Sequence, residues 1–422
     1  MEYVGNRVRR RARHVASGLA LGAAMLLPGL AHAAAPIKIG VIAEVSTLPG
    51  AGIANAAKMA AAEINAKGGV NGRKIQIITY DDHVSSTDAV RAFQRAAKQD
   101  HVVAVIGSFI SEVALALEPW AARLHMPYIT PGAASNDISK AVHDNYARNK
   151  YTFHEWLTSA FLAQGVCDAA HDLLVKGFGM KTAVVMSEDA AWTTPLDAGY
   201  LACLPKAGLK VVDHIRFSPD TTDFTPIFNR IESKHPDVII TGISHVGVQP
   251  TVQWAAQQVP IPMFGVSSQA TTSNFWKDTN GAALGVVAQN AAVPGTAITP
   301  KTQPFLNAYV KEFGATPPYC AYSTDDAVHI IANAIKADGG STNPDKLVAA
   351  MEKTNYVGTI GRVQFYGRKD KFTHAMKFGW NYVDEIMMEW ENGSQKAVWP
   401  KQFATTKITF PSFVKAKQAS AN

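Results

Sequence analysis

Cysteine is scarce. There are three in 422 residues, Cys167, Cys203 and Cys320. None forms a C-x-x-C pair, and no Cys/His spacing suits a zinc ligand set, so no metal site is expected. The signatures of common catalytic chemistries are missing too. There is no G-x-S-x-G nucleophile elbow, no H-E-x-x-H and no G-x-x-x-x-G-K-[ST] phosphate loop. No cofactor and no enzymatic activity are therefore expected. The adjacent acids Asp81-Asp82 and Asp325-Asp326 read as solvated or capping pairs, and the 13 histidines form no ligand-spaced cluster. There is no short-period repeat and no long low-complexity linker.

Basic charge is lacking over most of the chain, despite a formal net charge of +6. Arg7, Arg9, Arg10, Arg11 and Arg13 crowd the first residues against one acid, Glu2, and contribute +4 of that total. An apolar run from Val15 to Leu30 follows, then Ala31-His32-Ala33. A basic start, a short apolar run and an A-x-A site make a secretory signal peptide over residues 1–33. The run is short for a membrane span, and no second span follows. Beyond it the charge is near balance, which removes support for a nucleic-acid partner. No cysteine follows Ala33 for lipid attachment. A soluble, monomeric periplasmic protein is the expectation. Cys167 and Cys203 fall on consecutive expected helices and can pair in an oxidising compartment; three unpaired buried thiols are the alternative.

The chain is organised around Val102–Ser135. Val102–Ile106 is a continuous apolar run, as suits a parallel strand covered on both faces. Gly107 breaks it. Ser111 opens a helix, with Glu112 in the first turn where the helix dipole favours an acid. Met126–Thr130 is the next strand, closed by Pro131-Gly132. A helix N-terminus thus lies beside a turn of small residues, a corner that can hold a carboxylate. The other reading is that Ser111 only caps its helix.

Strand and helix alternate throughout, which implies an α/β fold with parallel sheets and right-handed crossovers. In the first half the strands are Ile37–Ala43, Lys74–Tyr80, Val102–Ile106 and Met126–Thr130. Ser46–Gly52 reads as a loop before a helix from Ala54 to Ala66. The pattern changes near Tyr146–His154. A helix from Trp156 to Val175 follows, and then a second series with strands Thr182–Ser187, Lys210–Phe217, Val238–Thr241 and Met263–Val266. Gly285–Ala291 leads to helices over 303–313, 324–338 and 344–353. Gly358–Phe365 turns into a β-rich ending with a hairpin at Glu391-Asn392-Gly393.

Several motifs together resemble the type I periplasmic solute-binding proteins of ABC importers, in the leucine/isoleucine/valine-binding branch. They are Ile37–Ala43, the run AEINAKGGVNGRK at 62–74, Asp81-Asp82, Ile106-Gly107 with Ser111, Ile129-Thr130-Pro131, Phe217-Ser218-Pro219-Asp220, Pro236-Asp237 and Gly361–Phe365. The likeness covers nearly the whole chain after residue 33. It implies two Rossmann-like lobes joined by three crossing segments, with a ligand cleft between them at the strands' carboxyl ends. Lobe 1 would hold 34–150 and 290–358, and lobe 2 would hold 151–289 and 359–422. Hinge closure would present a small-molecule solute to a membrane permease. A periplasmic ligand-sensing receptor of the same fold is the alternative.

The resemblance places Ser111 on the ligand carboxylate and Gly132, Ala133, Ala134 and Ser135 in the small-residue turn. The first loop lacks the family's aromatic residue, leaving Ser46 as its candidate contact. Ser267 stands where the family has the glutamate that pairs with a ligand ammonium, and Ser268 and Gln269 are equally neutral. A buried ammonium needs an opposing charge, so a carboxylate or amide without an ammonium is expected, an aromatic acid among the options. Trp192 is a candidate for stacking on a ring, or a packed loop residue. His245 donates to a carboxylate or satisfies loop backbone. Tyr322, with Tyr319, lines the hinge side or packs in the core.

Overall fold

The computed structural model describes residues 35–415. The signal-peptide expectation for 1–33 lies outside the described residues, and no described helix is long and apolar enough to cross a membrane.

Two sheets carry the chain. The first contains β1 (Ile37–Ala43), β2 (Ile75–Asp81), β3 (Ala104–Ile106), β4 (Tyr128–Thr130) and β5 (Thr152–His154). Their order is β2-β1-β3-β4-β5, and every pairing is parallel. The second builds on β6 (Thr182–Glu188), β7 (Lys210–Phe217), β8 (Val238–Ile243), β9 (Met263–Ser267) and β10 (Val287–Asn290), also parallel. A small antiparallel pair, β11 (Tyr356–Val357) with β12 (Arg362–Val363), follows. The hairpin of β13 (Ile386–Glu391) and β14 (Ser394–Trp399) then extends the second sheet, giving β14-β13-β10-β9-β8-β6-β7. Continuous apolar runs such as IKIGVIA make strands that are buried on both faces, as helix-covered parallel sheets require.

Local chemistry sets the helix ends. The loop expected over Ser46–Gly52 is mostly helix, because Leu48–Ala66 starts six residues early. Thr47 caps it, accepting from the Gly50 N–H at 3.2 Å, and Pro49 fits the first turn. This helix packs on Tyr319–Ala337. At Gly52 a Cβ would lie 2.3 Å from Pro318 Cγ, so only glycine lets the two helices approach. Tyr319 and Tyr322 belong to that second helix, whose start the sequence reading put at Thr324. The helix expected from Trp156 begins at Ser159, because Thr158 is still extended.

The lobe boundaries need two corrections. β5 pairs with β4, so the first sheet runs past residue 150 to His154. Part of the segment after 359 also lies along that sheet's edge rather than in the second lobe: Ala375 bridges His154, and the Phe365 ring meets Phe153 at 5.0 Å. In the second lobe Cys167 and Cys203 form a disulfide, and Cys320 is a buried free thiol.

Candidate functional site

The loops at the carboxyl ends of both sheets enclose a cavity between the lobes. Phe109, Ser111, Gly132, Ala134, Trp156 and Tyr319 line it from one side. Leu162, Trp192, Ser244, His245, Val266, Ser268 and Gln289 line it from the other. Its volume is about 320 Å³. Direct hydrogen bonds tie the lobes together across it. Glu112 of the first accepts from the Ala191 N–H of the second at 2.7 Å. The Ser159 hydroxyl lies 2.8 Å from the Ala134 carbonyl and 2.7 Å from that of Trp192, and the Ser159 N–H donates to Ala134 as well.

Ser111 is the first residue of helix Ser111–Leu124 and does not cap it; Ile110 holds the cap position, with no side-chain bond. Instead, Ser111 Oγ accepts from the N–H groups of Ala134 and Ser135, both at 3.1 Å. Both its lone pairs are thereby occupied, so its own proton is left to donate. At 1% exposure it presents that proton at a helix N-terminus, the polarity a carboxylate seeks. Gly132 makes room beside it, since a Cβ there would lie 2.7 Å from Phe109 Cβ. The Tyr319 hydroxyl donates to the Gly132 carbonyl at 2.9 Å, and its ring tilts against Trp156 at 4.6 Å.

The opposing wall is organised by a residue the sequence reading missed. Glu188, at the end of β6, is fully buried and accepts from four donors. These are Trp192 Nε1 at 3.1 Å, His245 Nδ1 at 2.6 Å, and the N–H groups of Ser244 at 2.9 Å and His245 at 2.8 Å. Burial pushes its carboxyl upward, but the hydrogen bond and charge of His245 with the two backbone donors outweigh this and hold it below the usual range. Burial likewise pulls His245 down, yet Glu188, then the charges of Glu112 and Glu44, raise it above the ordinary imidazole value. With Nδ1 on Glu188, Nε2 is the ring's remaining polar atom. One carboxylate thus fixes the orientations of both Trp192 and His245.

Of the residues singled out from sequence, Ser111, Gly132, Ala134, Trp192 and His245 share the cavity, as does Tyr319. Ser46, Ala133, Ser135, Ser267 and Tyr322 do not line it. Ser46 is exposed on the turn that Thr47 converts into a helix start. Ala133 packs with Ala114 and Ile138 while its carbonyl bonds His154 at 2.6 Å. Ser135 caps the helix Asn136–Asp144 through the Asp137 N–H. Ser267 accepts from the Ala270 N–H at 3.4 Å, and Ser268 takes the place in the wall instead. Tyr322 is core, 5.1 Å from the Phe305 ring. Trp156 and Gln289 were not anticipated. Nor were Glu44 and Asp82, buried acids at the ends of β1 and β2. Burial and then the charge of Asp82 push Glu44 up to about 8, and burial pushes Asp82 to about 6. The Ser108 hydroxyl donates to Glu44.

Two α/β lobes meeting at a small cavity define a solute clamp. The chain belongs to the periplasmic binding protein family, whose model matches residues 36–379. It is 26% identical over 412 residues to the Leu/Ile/Val-binding protein homolog 7 of Brucella melitensis, covering 93% of this chain and 98% of that one. In fold it is similar to the branched-chain amino acid transporter substrate-binding protein LivJ of Streptococcus pneumoniae, solved with isoleucine. The TM-score is 0.74 at 21% identity, over 86% of this chain and 100% of that one. It is also similar to an ABC transporter solute-binding protein of R. palustris solved with benzoate, with TM-score 0.73 at 19% identity, over 90% of this chain and 99% of that one. The family is one of solute-binding proteins rather than enzymes.

Proposed function

We propose that this chain captures a small carboxylate lacking a free α-ammonium in the periplasm and delivers it to the membrane permease of an ABC importer. An aromatic acid is the favoured form. The observation behind this reading is the charge of the cavity wall. None of its lining residues is acidic, and the nearest wall-organising carboxylate, Glu188, is already engaged by four donors. An ammonium buried there would meet no acidic lining side chain, and burying it without an opposing charge costs several kcal/mol. A carboxylate instead meets the Ser111 proton on one wall and the His245 ring, which Glu188 holds in place, on the other. Trp156, Trp192 and Tyr319 offer faces and edges for an aromatic or bulky apolar body. A ligand touching both walls favours the closed form by its contacts with each lobe, and closure is what a permease can recognise.

Thermal shift and calorimetry on protein stripped of retained ligand test this. Benzoate or a comparable acid stabilises the protein with saturable binding, while leucine does not. Stabilisation by leucine with no response to any acid overturns the reading.

A further inference from the structure

We infer that the ligand carries a hydroxyl group away from its carboxylate, and that Gln289 is the residue that reads it. The inference rests on the carboxylate reading of the same cavity.

Gln289 lies in β10, an interior strand flanked by β9 and β13. Successive side chains on a strand face opposite ways, so Gln289 points away from the face shared by Ala288 and Asn290. On their face the sheet satisfies its amides. Asn290 Nδ2 donates to Gln395 Oε1 at 3.2 Å, and Asn290 Oδ1 accepts from the Ala291 N–H at 2.8 Å. Gln289 is the exception. It is 3% exposed and lines the cavity, yet its Oε1 has no hydrogen-bond partner among the described residues. A buried carbonyl oxygen left without a donor is destabilising. Such a group in a binding cavity marks where a ligand atom belongs.

Tyr319 donates to Gly132, Trp192 to Glu188, and His245 Nδ1 to Glu188. Ser111 keeps one proton, which suits an anion and not a donor, and His245 keeps Nε2. Among the described lining residues, Gln289 alone has a fully buried side-chain oxygen that lacks a donor, so the unfilled requirement there is a donor facing a primary amide. A hydroxyl answers the amide whichever way it is turned, donating to Oε1 or accepting from Nε2. A methyl group of similar size answers neither. Because Ser111 belongs to the first lobe and Gln289 to the second, a hydroxy acid that reaches both ties the lobes together.

Calorimetry with matched pairs separates this from the broader reading. The probes are 4-methylbenzoate against 4-hydroxybenzoate, 3-methylbenzoate against 3-hydroxybenzoate, and 3-methylbutyrate against 3-hydroxybutyrate. In the wild-type protein at least one hydroxy acid binds about 10-fold to 100-fold tighter than its methyl partner. In Gln289→Leu, and in the flexible Gln289→Met, that preference falls below about threefold. The wild-type comparison needs no variant, so a misfolded substitution does not spare the idea. If acids bind but methyl and hydroxyl partners bind alike, or if the preference survives in both variants, the role of Gln289 is wrong and the carboxylate reading stands. If no acid of either kind binds, both fall together.

Discussion

Glu188→Gln is the most informative single substitution. The native carboxylate accepts four hydrogen bonds, two at each oxygen. The amide keeps one carbonyl oxygen, so it can serve either the two backbone donors or the pair from Trp192 and His245. Two buried donors are then left unpaired, at about 1–3 kcal/mol each. A loss of about 2–6 kcal/mol in unfolding free energy follows, measured as a shift of the urea midpoint with unchanged slope. The pH profile carries a second signature. His245 is raised in the folded state, so its contribution is fully present below its unfolded value near 6.5 and is lost as pH rises through the folded one. Glu188 is lowered, so its share holds above about 4.5 and is lost as pH falls through its folded value. Wild-type stability from this pair therefore spans the window between those two folded values, and Glu188→Gln flattens it. A midpoint shift worth less than about 0.5 kcal/mol, with the wild-type pH profile retained, refutes the organising role.

Reducing the Cys167–Cys203 bond reopens a loop with sequence separation 36. The chain-entropy estimate is about 4 kcal/mol, and the double serine variant should lower the urea midpoint accordingly while reductant leaves that variant unaffected. Gly132→Ala places a methyl 2.7 Å from Phe109 Cβ and 3.0 Å from Cys320 Cβ; about 1–3 kcal/mol is lost in thermal or urea melts, and ligand affinity falls with it. Glu44 binds its proton more tightly folded than unfolded. Stability is therefore lost as pH rises from about 4.5 towards about 8, and Glu44→Gln should flatten that slope between urea midpoints at pH 5 and pH 9.

The scaffold was largely readable from sequence because parallel strands announce themselves as apolar runs. Ile37–Ala43 begins and ends where its apolar run says, and Lys210–Phe217, an edge strand of mixed polarity, also keeps its expected bounds. Helix starts were less legible. Thr47 and Pro49 convert an expected loop into helix, which turned Ser46 outward. The site was half legible. Ser111 and the small turn sit next to a strand end, so local pattern points to them. Glu188 does not stand out, because its meaning comes from Trp192 four residues on and from the loop at Ser244-His245, which only the fold brings close. Gln289 hides in an apolar strand for the same reason. Ser267 and Ser268 differ by one residue, and a one-residue step on a strand end decides which of them faces the cavity.

The most direct measurement is a crystal structure of the protein with the acid that binds it. The account places one carboxylate oxygen within about 3 Å of Ser111 Oγ, with the apolar body against Trp156, Trp192 or Tyr319. A ligand seated outside the inter-lobe cavity, or one whose cationic group occupies the Ser111 corner, contradicts it.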